Sequence, residues 1–165
     1  MRTVIYTILI NNYDWLNDVR HIKKFYDTIC YTNNQNLLKR VNYKGWEIRK
    51  INKKHLIEEN ITNPILITRW YKFNPSKHLN YYDNSIYIDA NLIIKDNIEY
   101  FIEKCIAKNF CLGIFKHPFR NNIRKEICHA FWNKKINYKE FRILKRNYIK
   151  NNINGRLKNL ILFEN

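Results

Sequence analysis

The chain opens with a continuous run of β-branched, aliphatic and aromatic residues, Val4–Ile10. An uninterrupted apolar run of this length is typical of a strand that is buried on both faces of a mainly parallel sheet. Similar but shorter runs predict further strands at Thr28–Thr32, Trp46–Ile51, Phe110–Phe115 and Leu160–Phe163.

Between these runs the apolar residues follow helical spacing. The pattern predicts helices at about residues 17–25, 63–74, 98–107, 123–133 and 138–150. Strands that alternate with helices indicate α/β layers around a mostly parallel sheet. Because neither an internal repeat nor a linker interrupts the pattern, we expect one domain over residues 1–165.

The most informative segment is Tyr82–Asn91, in which strand-forming residues end abruptly in Asp89-Ala90-Asn91. Ligands of open α/β sheets bind beyond the carboxyl ends of the strands. In an extended backbone, residues i and i+2 point to the same side, so Asp89 and Asn91 could together hold Mg²⁺ or Mn²⁺ against a diphosphate. The alternative is that both are ordinary turn residues after a buried strand.

Two cationic groups could meet the same ligand. Arg69 and Lys72 lie three residues apart on a predicted helix and share a face, as a clamp on phosphate oxygens requires. His117 and Arg120 follow the end of a predicted strand. For each pair the alternative is an ordinary solvent-exposed position.

Composition narrows the class of protein. Hydrophobic residues make up 45% and aromatic residues 15% of the 165 residues, which excludes a disordered chain. The net charge of +16 favours polyanions as partners. However, the cations are dispersed, and frequent Lys, Asn, Ile and Tyr are also what an AT-rich genome encodes. Four cysteines without CxxC spacing and the absence of a long apolar run favour a cytoplasmic protein, with the periphery of a membrane as the alternative.

The order of the motifs along the chain carries a family resemblance. Tyr6-Thr7 leads to Tyr13-Asp14. Arg69-x-x-Lys72, Tyr82-Asp83-x-Ser85-Ile86-Tyr87-Ile88-Asp89-Ala90-Asn91 and His117-x-x-Arg120 follow. This order resembles the glycosyltransferase-like family once catalogued as domain of unknown function 616, which occurs in bacterial polysaccharide proteins and plant mucilage proteins. The similarity extends over nearly the whole chain.

The resemblance implies a single Rossmann-like domain of the glycosyltransferase A (GT-A) type, which binds a nucleotide sugar through a divalent cation, Mn²⁺ or Mg²⁺. The family extends beyond this chain into an acceptor-side region, which we expect the chain to lack. The resemblance also implies a role for each matching residue. Asp89 and Asn91 would hold the metal and diphosphate, Thr7, Tyr13 and Asp14 would border the nucleoside, Arg69 and Lys72 would face the diphosphate, and His117 and Arg120 would face the sugar or acceptor.

We therefore expect a metal-dependent glycosyltransferase that transfers a hexosyl unit from a UDP- or GDP-sugar to a polysaccharide, glycolipid or glycoprotein. No residue is assigned as the catalytic base. One alternative is a basic, non-catalytic nucleic-acid-binding protein, which the charge and the twelve tyrosines favour. The aromatic residues lie mostly within strand and helix patterns, which argues against it. The other alternative is an inactive glycosyltransferase-like scaffold.

Overall fold

The computed structural model describes residues 1–95, 98–107, 112–115, 123–151 and 160–163. The fold is mixed α/β, as the alternating pattern predicts. The strands are β1 (Thr3–Leu9), β2 (Asp27–Thr32), β3 (Asn42–Tyr43), β4 (Trp46–Lys50), β5 (Asn84–Tyr87), β6 (Leu112–Phe115) and β7 (Leu160–Phe163). The helices are α1 (Gln35–Leu38), α2 (Lys54–Glu58), α3 (Pro64–Phe73), α4 (Pro75–His78), α5 (Ile98–Ala107), α6 (Ile123–Trp132) and α7 (Tyr138–Asn151).

The chain forms two compact units, Met1–Asp96 and Asn97–Asn165. The first unit contains a five-stranded sheet with the strand order β3-β4-β2-β1-β5. The contacts between β1 and β2, β1 and β5, and β2 and β4 are parallel, and only the short edge strand β3 is antiparallel. The predicted mostly parallel sheet is therefore confirmed.

Side chains of β1 point alternately to the two faces of this sheet. Val4, Tyr6 and Ile8 pack into a cluster with buried residues of β2 and of the segment that carries α2, α3 and α4. The members from that segment are Leu56, Trp70, Tyr71 and Leu79. Helices therefore cover this face of the sheet.

The opposite face is covered by the segment that joins β1 to β2. We expected a helix at about residues 17–25, but this prediction is wrong, because the segment contains only turns and irregular backbone. Leu16, Val19 and Ile22 are nevertheless buried, and their spacing of three residues produced the helical pattern. The segment bonds to its neighbours instead: Val19 N donates to Lys44 O at 2.9 Å.

The second unit contains α5, α6, α7 and the strands β6 and β7. Strands β6 and β7 pair in parallel, with Leu112 opposite Leu160 and Phe115 opposite Phe163. Phe131 of α6 stacks on Phe141 of α7, with 4.6 Å between the ring centroids. None of the helices within the described residues combines the length and apolarity that a bilayer-crossing segment needs.

Candidate functional site

The strand order defines a point at which the direction of winding reverses. From central strand β1 the chain proceeds outward to β2 and β4, and then returns to place β5 on the other side of β1. In open α/β sheets, ligands bind at the carboxyl ends of the two strands that flank such a reversal. In this protein those strands are β1 and β5, and the segments that follow them are residues 10–14 and 88–92. We call this region the switch-point edge.

Asp89 lies at the switch-point edge directly beyond β5. Ile88 N donates to Tyr6 O at 3.1 Å, so pairing with β1 continues to the residue before Asp89. The Tyr87 hydroxyl donates to Asp89 Oδ1 at 2.8 Å, and Lys72 Nζ lies 3.9 Å from the same oxygen. The Asp89 side chain remains 56% exposed, so a ligand can approach it from solvent.

Lys72 is positioned by its helix and by two tyrosines. Its ammonium lies 4.3 Å from the centre of the Tyr87 ring, within the range of a cation–π contact. Its backbone carbonyl accepts a hydrogen bond from the buried Tyr6 hydroxyl at 2.9 Å, which ties the end of α3 to the central strand. The Lys72 ammonium and the Asp89 carboxylate are thus close enough to reach one ligand, and that shared role stays a prediction.

A second carboxylate, that of Asp14, belongs to the segment of the switch-point edge that follows β1. The pKa of Tyr87 is raised well above its usual range, first by burial and then by the hydrogen bond to Asp89 and the negative charge of that residue. Electrostatic interactions with Tyr6 and Asp14 contribute in the same direction. The two segments of the switch-point edge thus contribute the carboxylates Asp14 and Asp89, and the Lys72 ammonium lies beside Asp89.

The backbone at Asp89–Asn91 is not extended. Leu92 N donates to Asp89 O at 3.0 Å, which closes a turn with Ala90 and Asn91 at its centre. The expected alignment of Asp89 and Asn91 by strand period is therefore wrong. Ala90 is buried, and Asn17 bonds to this turn through its backbone N–H and its side-chain amide, at 3.0 Å from Ala90 O and 2.6 Å from Asn91 O.

Paired asparagines, which sequence reasoning did not identify, continue the edge from β1 to β2. Asn33 Nδ2 donates to Asn11 Oδ1 at 2.7 Å, and Asn34 Nδ2 donates to Asn12 Oδ1. Both Asn11 and Asn12 adopt left-handed backbone conformations, with φ of 54° and 55°, which asparagine tolerates better than most residues. The sequence signal is an Asn-Asn pair close to the end of each of two strands.

The other predicted site residues differ in their exposure and in their position relative to the switch-point edge. Tyr13 follows β1 and is 92% exposed, so its ring is available to a ligand. Arg69 is exposed on α3, whereas the contacts that Asp89 makes come from Tyr87 and Lys72. Thr7 is fully buried in the sheet rather than on the edge. His117 and Arg120 lie outside the described residues.

The oxygen ligands of the switch-point edge suit a cation that also binds oxygens of the substrate. Within the part of the chain that the structure describes, no three or more His, Cys, Asp or Glu residues are grouped as an all-protein metal cage would require. Mg²⁺ commonly binds through one or two carboxylates together with the phosphates of its substrate. Asp89, which is 56% exposed at the switch-point edge, can meet that smaller requirement when a diphosphate supplies the remaining oxygens.

Comparisons with protein-family models, with curated proteins and with solved structures found no match to this chain. The resemblance to the glycosyltransferase-like family therefore rests on the quoted motifs alone. The class that the structure supports directly is a mixed α/β protein with a five-stranded, mostly parallel sheet. The residues of the switch-point edge are therefore the ones on which a proposal for the activity of this protein rests.

Proposed function

We propose that this protein is a nucleotide-sugar-dependent glycosyltransferase of the GT-A type, with its donor bound at the switch-point edge. The observation that carries the proposal is the position of Asp89, which is exposed at the carboxyl end of β5, beside the central strand and 3.9 Å from Lys72. A carboxylate beside an ammonium at this edge suits a cation and a diphosphate together.

The roles follow from the chemistry of each side chain. Asp89 holds a divalent cation, Mn²⁺ or Mg²⁺, together with oxygens of the diphosphate, and Lys72 and Arg69 face the same diphosphate. The bound cation would neutralise the charge that develops on the departing nucleoside diphosphate. Lys72 contributes a second positive charge at a fixed place, because Tyr6 holds its backbone and the Tyr87 ring supports its ammonium.

Tyr13 and Asp14 border the nucleoside, since they follow β1 at the same edge. Thr7 is fully buried, so it can influence the nucleoside only through the backbone of β1. The acceptor in this proposal is a polysaccharide, a glycolipid or a glycoprotein. The reaction breaks the bond between the anomeric carbon and the diphosphate and forms one to an acceptor oxygen.

A thermal-shift titration with UDP- and GDP-sugars, with and without Mn²⁺, tests the proposal. A ligand that binds only the folded state raises Tm in proportion to its affinity. We expect a donor to raise Tm in the presence of Mn²⁺, and Asp89→Asn to weaken this binding at least about 10-fold, as loss of a charge-assisted contact requires. Glu59→Gln is the matched control, because it removes one exposed charge of the same unit far along the chain from the edge.

Three outcomes would contradict the proposal. Equal donor binding by the wild type and Asp89→Asn would remove Asp89 from the site. Donor binding without release of nucleoside diphosphate in the presence of any acceptor class would favour the inactive scaffold. A lack of donor binding, together with oligonucleotide binding that weakens steeply as salt increases, would favour the nucleic-acid-binding alternative.

A further inference from the structure

Positive charge is also concentrated in one segment of the second unit. We call residues 123–151 the α6–α7 hairpin. It carries nine Lys and Arg residues against only two Glu residues, Glu126 and Glu140. The nine are Arg124, Lys125, Lys134, Lys135, Lys139, Arg142, Lys145, Arg146 and Lys150. A surface of this charge attracts anionic partners over a distance of about one Debye length, roughly 8–10 Å.

Exposed apolar side chains occur beside these cations. Tyr138, Arg142, Lys145 and Ile149 follow the spacing i, i+4, i+7, i+11 and therefore share one face of α7. Tyr138 is 63% and Ile149 is 69% exposed, and Trp132 at the end of α6 is 79% exposed. Phe141, three residues after Tyr138, lies on the flank of α7 next to this face and stacks on Phe131 of α6. Tyr138 and Ile149 therefore border the contact between the two helices while most of their surface stays exposed.

An apolar pocket opens next to this face. It has a volume of about 150 Å³ and lies between α6 and α7. Its apolar lining includes Ile127, Phe141, Tyr148 and Ile149, and its cations are Arg124 and Lys145. Because its lining contains both apolar and cationic side chains, the pocket suits a molecule that has a hydrocarbon part and an anionic head.

We propose that the α6–α7 hairpin docks on an anionic lipid bilayer. Arg124, Arg142 and Lys145 contact the phosphates of the headgroups, and Trp132 and Ile149 enter the boundary between headgroups and acyl chains. A helix with cations along its polar side and aromatic and aliphatic residues exposed beside them is the form that binds membrane surfaces. Anionic lipid supplies both the negative charge and the apolar layer that this face requires.

A nucleic acid would meet only half of this chemistry. Phosphates could pair with the cations, and bases could stack on Trp132 or Tyr138. A base gives no comparable contact to Ile149, which is 69% exposed. Lipid is therefore the partner that uses both the cations and the aliphatic side chain of this face. This inference is independent of the proposed function, because every residue in it belongs to the second compact unit.

Co-sedimentation with vesicles tests the docking surface. Vesicles of about one third phosphatidylglycerol in phosphatidylcholine provide anionic surface, and vesicles of phosphatidylcholine alone are the neutral comparison. We expect binding to the anionic vesicles only. The double variant Arg142→Glu/Lys145→Glu should weaken it at least about 30-fold, since each cation near such a surface contributes about a factor of five. Arg40→Glu/Lys53→Glu, in the first unit, makes the same charge change and should bind nearly as the wild type does.

A second variant separates apolar insertion from charge. Trp132→Ser/Ile149→Ser keeps every cation, and we expect it to lose about 10-fold or more of the affinity for anionic vesicles. Circular dichroism confirms that each variant keeps its helices. Binding that is equal on neutral vesicles, unchanged in both hairpin variants, or equally weakened in the first-unit variant would overturn the proposal. Vesicle binding that is absent, while the hairpin variants lose binding to a single-stranded oligonucleotide, would assign the surface to nucleic acid instead.

Discussion

The hydroxyl group of Thr7 lowers the stability of the folded protein, although Thr7 lies in the central strand. Its hydroxyl is completely buried in β1, and Oγ1 has no hydrogen-bond partner among the described residues. A buried hydroxyl without a partner costs about 1–3 kcal/mol relative to the solvated group. Thr7→Val keeps the β-branched shape and removes this hydroxyl. We expect the free energy of unfolding, measured by urea denaturation, to increase by about 1 kcal/mol.

Thr32 on the neighbouring strand is the matched control. Its Oγ1 donates to Leu9 O at 2.7 Å and accepts from Asn34 N at 3.0 Å, so the same substitution removes two hydrogen bonds. Thr32→Val should therefore decrease the free energy of unfolding by about 1–3 kcal/mol. If Thr7→Val were as destabilising as Thr32→Val, the Thr7 hydroxyl would have a partner after all.

Individual residues of the site were predictable where they depend on local pattern. Asp89 was identified because it ends an apolar run, and Lys72 because it lies on a helix that begins with Asn63-Pro64. The turn at Ala90 was not predictable. It depends on Asn17, which is distant in the sequence and is brought to Ala90 and Asn91 by the folded sheet.

At the scale of elements, the hairpin between β3 and β4 depends on one glycine. Lys44 and Gly45 form its two-residue turn, and both have positive φ, 52° and 89°. A Cβ on residue 45 would lie 2.7 Å from Arg20 N and 2.9 Å from Val19 C, which are backbone atoms of the segment covering the sheet. Neither atom can move without displacing that segment.

Gly45→Ala should therefore destabilise the protein by about 3 kcal/mol or more, because left-handed strain adds to the steric clash. Lys44→Gly in the same turn relieves left-handed strain and should change the free energy of unfolding by less than about 1 kcal/mol. Urea denaturation of both variants measures the difference. Similar stabilities for the two variants would show that the covering segment adjusts freely to the added carbon.

Elements were predicted well where they are periodic and carry their own hydrogen bonds. Helix α5 begins and ends where the pattern placed it, at Ile98–Ala107. The segment at residues 17–25 has a similar apolar spacing but no helix, because backbone groups at its start bond to other segments. Trp46 Nε1 donates to Asn17 O at 2.8 Å, and Asn17 N donates to Ala90 O. Such partners are set by tertiary structure, so periodicity alone could not reveal them.

At the scale of the whole molecule, the candidate site and the proposed docking surface belong to different compact units. The switch-point edge and its carboxylates belong to Met1–Asp96, whereas the cationic α6–α7 hairpin belongs to Asn97–Asn165. The sequence gives the total charge of +16 but not this division. Alternation of strands and helices predicted the parallel sheet, since parallel neighbours need a connecting segment between them. The strand order, and with it the position of the switch-point edge, follows from the strand pairing in the structure, which the sequence pattern does not reveal.

Buried ionisable groups predict how the stability of the molecule depends on pH. Burial raises the pKa of Tyr31 to about 12 and that of the Cys30 thiol to about 12. Burial also raises the pKa values of Tyr6 and Tyr71 above the usual range. In the unfolded chain a cysteine ionises near pH 8.5–9 and a tyrosine near pH 10. From about pH 9 upward, the unfolded chain therefore binds fewer protons than the folded chain does.

By linkage, the free energy of unfolding must then decrease as pH rises from about 9 to 12, by up to about 1.4 kcal/mol per pH unit for each such group. Urea denaturation at several pH values measures this slope. Tyr31→Phe should flatten it between about pH 10 and 12, since that ionisation is removed. Loss of the hydrogen bond from the Tyr31 hydroxyl to His78 O, 3.2 Å long, lowers stability equally at every pH and leaves the slope unaffected. A slope identical to that of the wild type would contradict the prediction. It would mean that Tyr31, although buried, ionises in the folded protein as readily as in the unfolded chain.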